Sequence, residues 1–318
     1  MVNLALSLQV LLVMVGVAFY TLLERKVLAY IQTRKGPNKP SLIGLLIPFA
    51  DAIKLIKKEY NLPALANKVL FCFLPCLTLL IPLLLWFAYA SPFNVMDLKY
   101  SCLWFLSVSS VGVYGLLGAG WRRNRKYSLY GAVRSVAQSV SYEVRLTIII
   151  LHSIVFFFYR LFNAKLYPLS LFLFIPMALL LLSMLAETNR TPFDFSEGES
   201  ELVRGFNTEF GSVPFVMIFL AEYISILYVS LMIRLVFNAR SFVETMLFLS
   251  FWAFVFIWVR GTRPRYRYDQ LIHVAWKRVL PIALGSLGMV LTLSYYSGRT
   301  HVFYTNKGRS KNIVIPLA

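Results

Sequence analysis

Uncharged apolar runs of about 20 residues, the length an α-helix needs to cross a hydrocarbon core roughly 30 Å thick, recur from the start of this chain to near its end. A bilayer admits only helices or closed barrels, because every backbone N–H and C=O must be satisfied within the protein. The runs do not alternate polar with apolar residues, so barrel strands are excluded. The predicted fold is all-α, a polytopic membrane helix bundle of about eight transmembrane helices. The spans are expected at residues 2–23, 69–90, 101–120, 135–158, 167–186, 211–233, 242–259 and 279–297, within a single membrane domain covering 1–318. The first lacks the short apolar core and cleavage site of a signal peptide and runs into Glu24-Arg25-Lys26, so it is expected to be retained. Residues 48–59 differ. Read as a helix, they place Phe49, Ala52, Ile53 and Ile56 on one side and Asp51, Lys54, Lys57 and Lys58 on the other, an interfacial amphipathic helix.

The chain holds 32 Lys and Arg against 14 Asp and Glu, a net charge of +18. Most of the basic residues fall in the loops after spans one, three, five and seven. The positive-inside rule puts those loops on the cytoplasmic or matrix side and both termini on the opposite side. This scatter over short loops, rather than one stripe on a soluble face, argues against nucleic acid as a partner. Part of the basic surface serves topology and lipid headgroups.

Five of the 14 acids, Glu187, Asp194, Glu197, Glu199 and Glu201, fall within fifteen residues directly after span five. Ionised carboxylates at membrane depth are costly and mark ion or proton routes. Glu143 in span four and Glu222 in span six have no basic residue three or four positions away, and Arg145 points away from Glu143 on a helix. Each acid must therefore find its partner on another helix, in water or in its own proton. The alternative is a structural pair with an arginine of a neighbouring helix. With Glu187, three helices each supply one carboxyl, which reads as a proton relay. In the acidic loop 187–210, Glu197, Glu199 and Glu201 lie close in either an extended or a helical chain. Their repulsion holds at least one above the usual carboxylate range, unless the loop is simply solvated.

Cys72, Cys76 and Cys102 form no C-x-x-C pair, and His152, His273 and His301 are scattered, so no metal site is expected. No Gly-rich nucleotide fingerprint follows a strand-like run. Tyr and Trp read as interface anchors or packing, and Gly112, Gly115, Gly118 and Gly120 as sites of close helix–helix approach.

Several stretches carry a resemblance: 23–39 from Leu23-Glu24-Arg25-Lys26 to Gly36-Pro37-Asn38-Lys39, 48–55 around Asp51, 136–144 ending Ser141-Tyr142-Glu143-Val144, 186–206, and 264–269. In order along nearly the whole chain, they resemble chain 1 of the proton-pumping NADH:ubiquinone oxidoreductases, respiratory complex I, in its mitochondrially encoded form. The resemblance implies a subunit of the mitochondrial inner membrane, with both termini on the intermembrane-space side. Its partners are the peripheral-arm subunits of the quinone site, small membrane subunits and lipids. Ubiquinone is the substrate; FMN and iron–sulfur clusters belong to partner subunits. It further implies that Glu143, Glu187, Asp194, Glu197 and Glu222 begin a carboxylate path, and that Glu24, Arg25, Arg34, Asp51, Glu199, Glu201 and Arg267 surround the quinone tunnel or its docking loops. The chain departs from the family at Arg122-Arg123-Asn124-Arg125, Arg204 and Arg263, arginines expected to tune contacts with the peripheral arm. Set against this reading are a stand-alone proton or cation transporter, a purely structural anchor, and a hydrogenase-type membrane module of the same ancestry.

Overall fold

A computed structural model describes residues 2–39, 41–59, 67–87, 101–122, 126–162, 170–194, 211–237 and 242–305. Those residues form helices and connections, with no strand among them. In chain order the helices are α1 (Val2–Ile31), a 3-10 turn (Leu42–Gly44), α2 (Ile47–Ile56), α3 (Lys68–Phe87), α4 (Ser101–Trp121), α5 (Lys126–Phe162) and α6 (Ser170–Glu187). They continue with α7 (Ser212–Phe237), α8 (Phe242–Thr262), α9 (Tyr268–Val274), a π-turn (Ala275–Val279) and α10 (Leu280–Thr305). Helices overlap each of the eight stretches expected to span. Among the described residues, six segments are long and apolar enough to do so: Ser7–Ile31, Lys68–Phe87, Cys102–Trp121, Ser212–Ile233, Val243–Thr262 and Tyr268–Thr292. The 37-residue α5, which carries Lys126, Arg134, Glu143 and Arg145, is not among them.

α1 runs eight residues beyond the expected end of its span, so Glu24, Arg25 and Lys26 are helical rather than looped. The charged triplet is tolerated because Glu24, only 6% exposed, meets partners on two other helices. The helix closes where Arg34 N–H turns back to the Ala29 carbonyl (2.9 Å) and Thr33 adopts a left-handed φ of 56°. Gly44 (φ +75°) then lies so near the Pro37 carbonyl that a Cβ would sit 2.5 Å from its oxygen, which leaves glycine as the residue for that bend. α2 starts on a proline and exposes Phe49, Ile53 and Ile56, the apolar side of an interfacial helix. It is tied to α1 by an Arg25–Asp51 ion pair (2.7 Å), a Lys26 bond to the Ile43 carbonyl (2.5 Å) and an edge contact of Phe19 on Phe49.

α7 is the most buried span and packs against α3, α8, α1 and α2; α4 lies between α3 and α5, and α5 also packs on α6 and α10. Lipid tails are as apolar as leucine, so close packing and polar bonds, rather than water exclusion, hold such helices together. The glycines of α4 serve that packing. A Cβ on Gly118 would come within 2.5 Å of Leu74 in α3, and one on Gly120 within 2.2 Å of the Ala132 Cβ in α5. Gly112 instead faces open space in a cavity described below.

Candidate functional site

The site is organised by the turn that follows α6. Thr188 N–H and Asn189 N–H bond back to Met184 and Ala186, Asn189 takes a left-handed φ, and Phe193 N–H bonds to the Arg190 carbonyl at 2.8 Å. Gln138 of α5, fully buried, spends its amide nitrogen on two carbonyls of this turn, those of Ala186 and Phe193, each at 2.9 Å. On the far side Tyr266 N–H bonds to the Pro192 carbonyl (3.1 Å), and its ring stacks on Phe193. A stretch that the sequence presents as a loop is thus held from two directions. Its three ionisable side chains face three different places.

Glu187 faces inward. Its Oε2 is buried with no hydrogen-bond partner, as is Oδ1 of Asn189. Both residues line a cavity of about 140 Å³ among α3, α4, α5 and α7. Polar groups converge there: Thr78, Ser109, Ser139, Thr188, Ser225 and Glu222, against an apolar wall that includes Ile81, Leu85 and Phe105. At about 30 Å³ per water molecule, the space suits a few waters with polar partners. Of the three carboxyls expected to converge, Glu187 and Glu222 line this one cavity, and Glu143 is not among its lining residues.

Arg190 faces α1 and α7. One Nη lies 3.8 Å from Glu24 Oε1 and the other 3.8 Å from Glu222 Oε2, so the guanidinium bridges two carboxylates while resting over the Tyr223 ring. Glu24 is held from further sides as well. It accepts the Tyr223 hydroxyl (2.5 Å) and an Arg260 Nη of α8. Tyr20 closes the cluster with an edge contact on Tyr223 and a bond from its hydroxyl to the Ala253 carbonyl. Forked Arg–carboxylate geometry suits Arg190, since a lysine presents a point charge and cannot span two acceptors this way.

Asp194 faces the surface, where it pairs with Arg265 at 3.2 Å. Arg34 is exposed, and Arg267 is exposed and paired with its near neighbour Asp269 (3.3 Å). Glu197, Glu199, Glu201 and Arg204 lie outside the described residues. Arg145 is buried and folds back onto the Ser141 carbonyl (2.6 and 2.9 Å) and the Tyr142 ring, away from Glu143 as helix geometry requires.

Three contacts add to the sequence reading. Tyr223, read with the other tyrosines as packing or an interface anchor, hydrogen-bonds a buried carboxylate. The pairing of Glu222 with an arginine, weighed as the alternative to a free acid, is present through Arg190. Arg122, expected to meet a peripheral partner, is instead buried between α3 and α4, donating to the Phe71 carbonyl (3.1 Å) and lying over the Phe71 ring. Sequence reading also passed over Gln138, Arg190 and Arg260 as members of the site. The hint for Gln138 was its place inside an apolar span with no partner at helical spacing. For the two arginines there was only their position at span ends.

The sequence model of the NADH dehydrogenase family matches residues 4–291. Among curated proteins, the chain is 48% identical over 299 residues to NADH-ubiquinone oxidoreductase chain 1 of Anopheles gambiae, covering 90% of this chain and 94% of that one. It is 48% identical over 286 residues to the protein of the same name from Aedes aegypti (87% and 91% covered) and 45% over 292 residues to that of Locusta migratoria (90% and 93%). With a match over most of its length and relatives this similar along most of theirs, the chain belongs to the NADH dehydrogenase family.

Proposed function

We propose that this chain is a core membrane subunit of the proton-pumping NADH:ubiquinone oxidoreductase of the mitochondrial inner membrane, and that it forms both the ubiquinone access tunnel and the first stretch of the proton path. The names of its relatives support the first part. The observation that carries the second is the buried, unpartnered oxygen of Glu187 on the same polar cavity as Glu222. An acid so placed exchanges a proton through water more readily than it forms a structural pair.

In this reading, ubiquinone enters between α1 and α2, where exposed Phe49, Ile53 and Ile56 offer a lipid-side lip below the Arg25–Asp51 pair. Electrons arrive from FMN and iron–sulfur clusters of partner subunits. Reduction of the quinone changes the charge near Asp194 and the acidic loop with Glu197, Glu199 and Glu201. Glu187 takes up or releases a proton in response, Glu143 senses it by repulsion, and waters in the cavity carry it to Glu222. Arg190, Glu24, Tyr223 and Arg260 hold the polar groups at that end in place, with Arg190 between the two acids.

The test is Glu187→Gln in the assembled complex reconstituted in vesicles. The amide keeps the shape and cannot titrate. Proton translocation coupled to ubiquinone reduction is expected to fall by about tenfold or more, equivalent to at least about 1.4 kcal/mol, with the amount of assembled complex unchanged. Undiminished translocation would overturn the relay.

A further inference from the structure

The helix that runs from Tyr268 to Thr305 is interrupted by the π-turn Ala275–Val279, a form found mostly as single turns and frequently at functional sites. On one side it is part of the core: Leu271, Ala275, Val279 and Ala283 recur every fourth residue and are nearly inaccessible. The three residues between Ala275 and Val279 all point outward. Trp276, Lys277 and Arg278 are exposed, and none of the ion pairs among the described residues involves Lys277 or Arg278. The acid of the same helix, Asp269, is two turns away and faces Arg267. Directly beyond the two cations the outward face turns apolar, with Ile282 and Met289, seven residues apart and so on one side of the helix, each about half exposed.

We propose that this face binds one anionic phospholipid. Its phosphate lies between Lys277 and Arg278, the Trp276 indole sits at headgroup level, and an acyl chain runs along Ile282 and Met289. A phospholipid anion satisfies the cations and the apolar strip in the order they occur along the helix. Two adjacent unpaired cations just before the uncharged run that follows Val279 attract anionic headgroups, and tryptophan is enriched at headgroup depth. The site lies on the opposite face of the helix from its core contacts and takes no part in the proton path.

The experiment uses the intact complex in nanodiscs doped with phospholipids bearing a photoactivatable acyl chain, one anionic and one zwitterionic. Labelling of the peptide spanning 276–291 is expected to be several-fold higher with the anionic lipid, and the excess is expected to decline as salt is raised. It is also expected to vanish in the Lys277→Gln, Arg278→Gln double variant. Equal labelling by the two lipids would reduce the face to ordinary bilayer contact, and absence of labelling would mean a protein subunit covers it. Either result, or an excess that survives in the double variant, overturns the proposal. The salt dependence is read on the unsubstituted complex and so stands even if the variant fails to assemble.

Discussion

Arg190 holds together two acids that lie 198 positions apart in the chain, and its value lies in the spacing of its two amino groups. Substituting glutamine leaves Glu222 without this partner and Glu24 with only Tyr223 and Arg260. Removing one member of a buried pair costs about 3–5 kcal/mol when the remaining charge stays buried; here Glu222 is partly accessible, which lowers the figure. Arg190→Gln is therefore expected to cut coupled turnover by at least about tenfold. Arg190→Lys, with charge but no fork, should fall between the variant and the parent. Equal rates for the lysine and arginine proteins, measured as NADH-driven ubiquinone reduction, would show that charge alone suffices. None of this could be read along the sequence. Glu24 finds Tyr223 across 199 positions and Arg260 across 236, and no local pattern encodes contacts at that range. Glu187, Glu143 and Glu222 were legible because a carboxylate within an apolar run stands out by itself.

At the scale of the element, the spans were readable because a bilayer fixes their length, while their ends were not. α1 passes through a charged triplet, α5 begins nine residues before its expected start, and the last helix begins at Tyr268 rather than at 279. In each case hydropathy falls while the backbone stays helical, because helix hydrogen bonds do not depend on which side chains the helix carries. The glycine-bearing face of α4 was legible as a packing face, and it sets the distances to α3 and α5. Gly120→Val is expected to force α4 and α5 apart. Overpacking typically costs about 1–3 kcal/mol and sometimes more, and with the Cβ 2.2 Å from that of Ala132 the upper part of that range applies. Assembled complex on native gels should drop several-fold, whereas Gly112→Ala, where a Cβ meets nothing, should leave it unchanged. A comparable loss in both would mean that helix propensity rather than contact governs α4.

For the whole molecule, the arrangement of basic loops gives a sidedness that can be measured. A cysteine placed near the amino terminus, in a chain whose native cysteines are replaced, should react with a membrane-impermeant maleimide from the intermembrane-space side. One placed at Arg34 should react from the matrix side; the reverse pattern would invert the proposed topology. Sidedness is an expectation from charge; the tie between α5 and the turn after α6 has no local signature in the sequence, since it is made by the side chain of Gln138. Gln138 gives both its hydrogens to carbonyl oxygens of the turn that carries Glu187, Arg190 and Asp194. A glutamate there would fill the same space, yet when ionised it would set oxygen against oxygen twice, and when protonated it would have one hydrogen for two acceptors. A region assembled to house acids thus forbids one at its own hinge, and the commonest isosteric exchange in protein chemistry becomes, at this position, a change of sign.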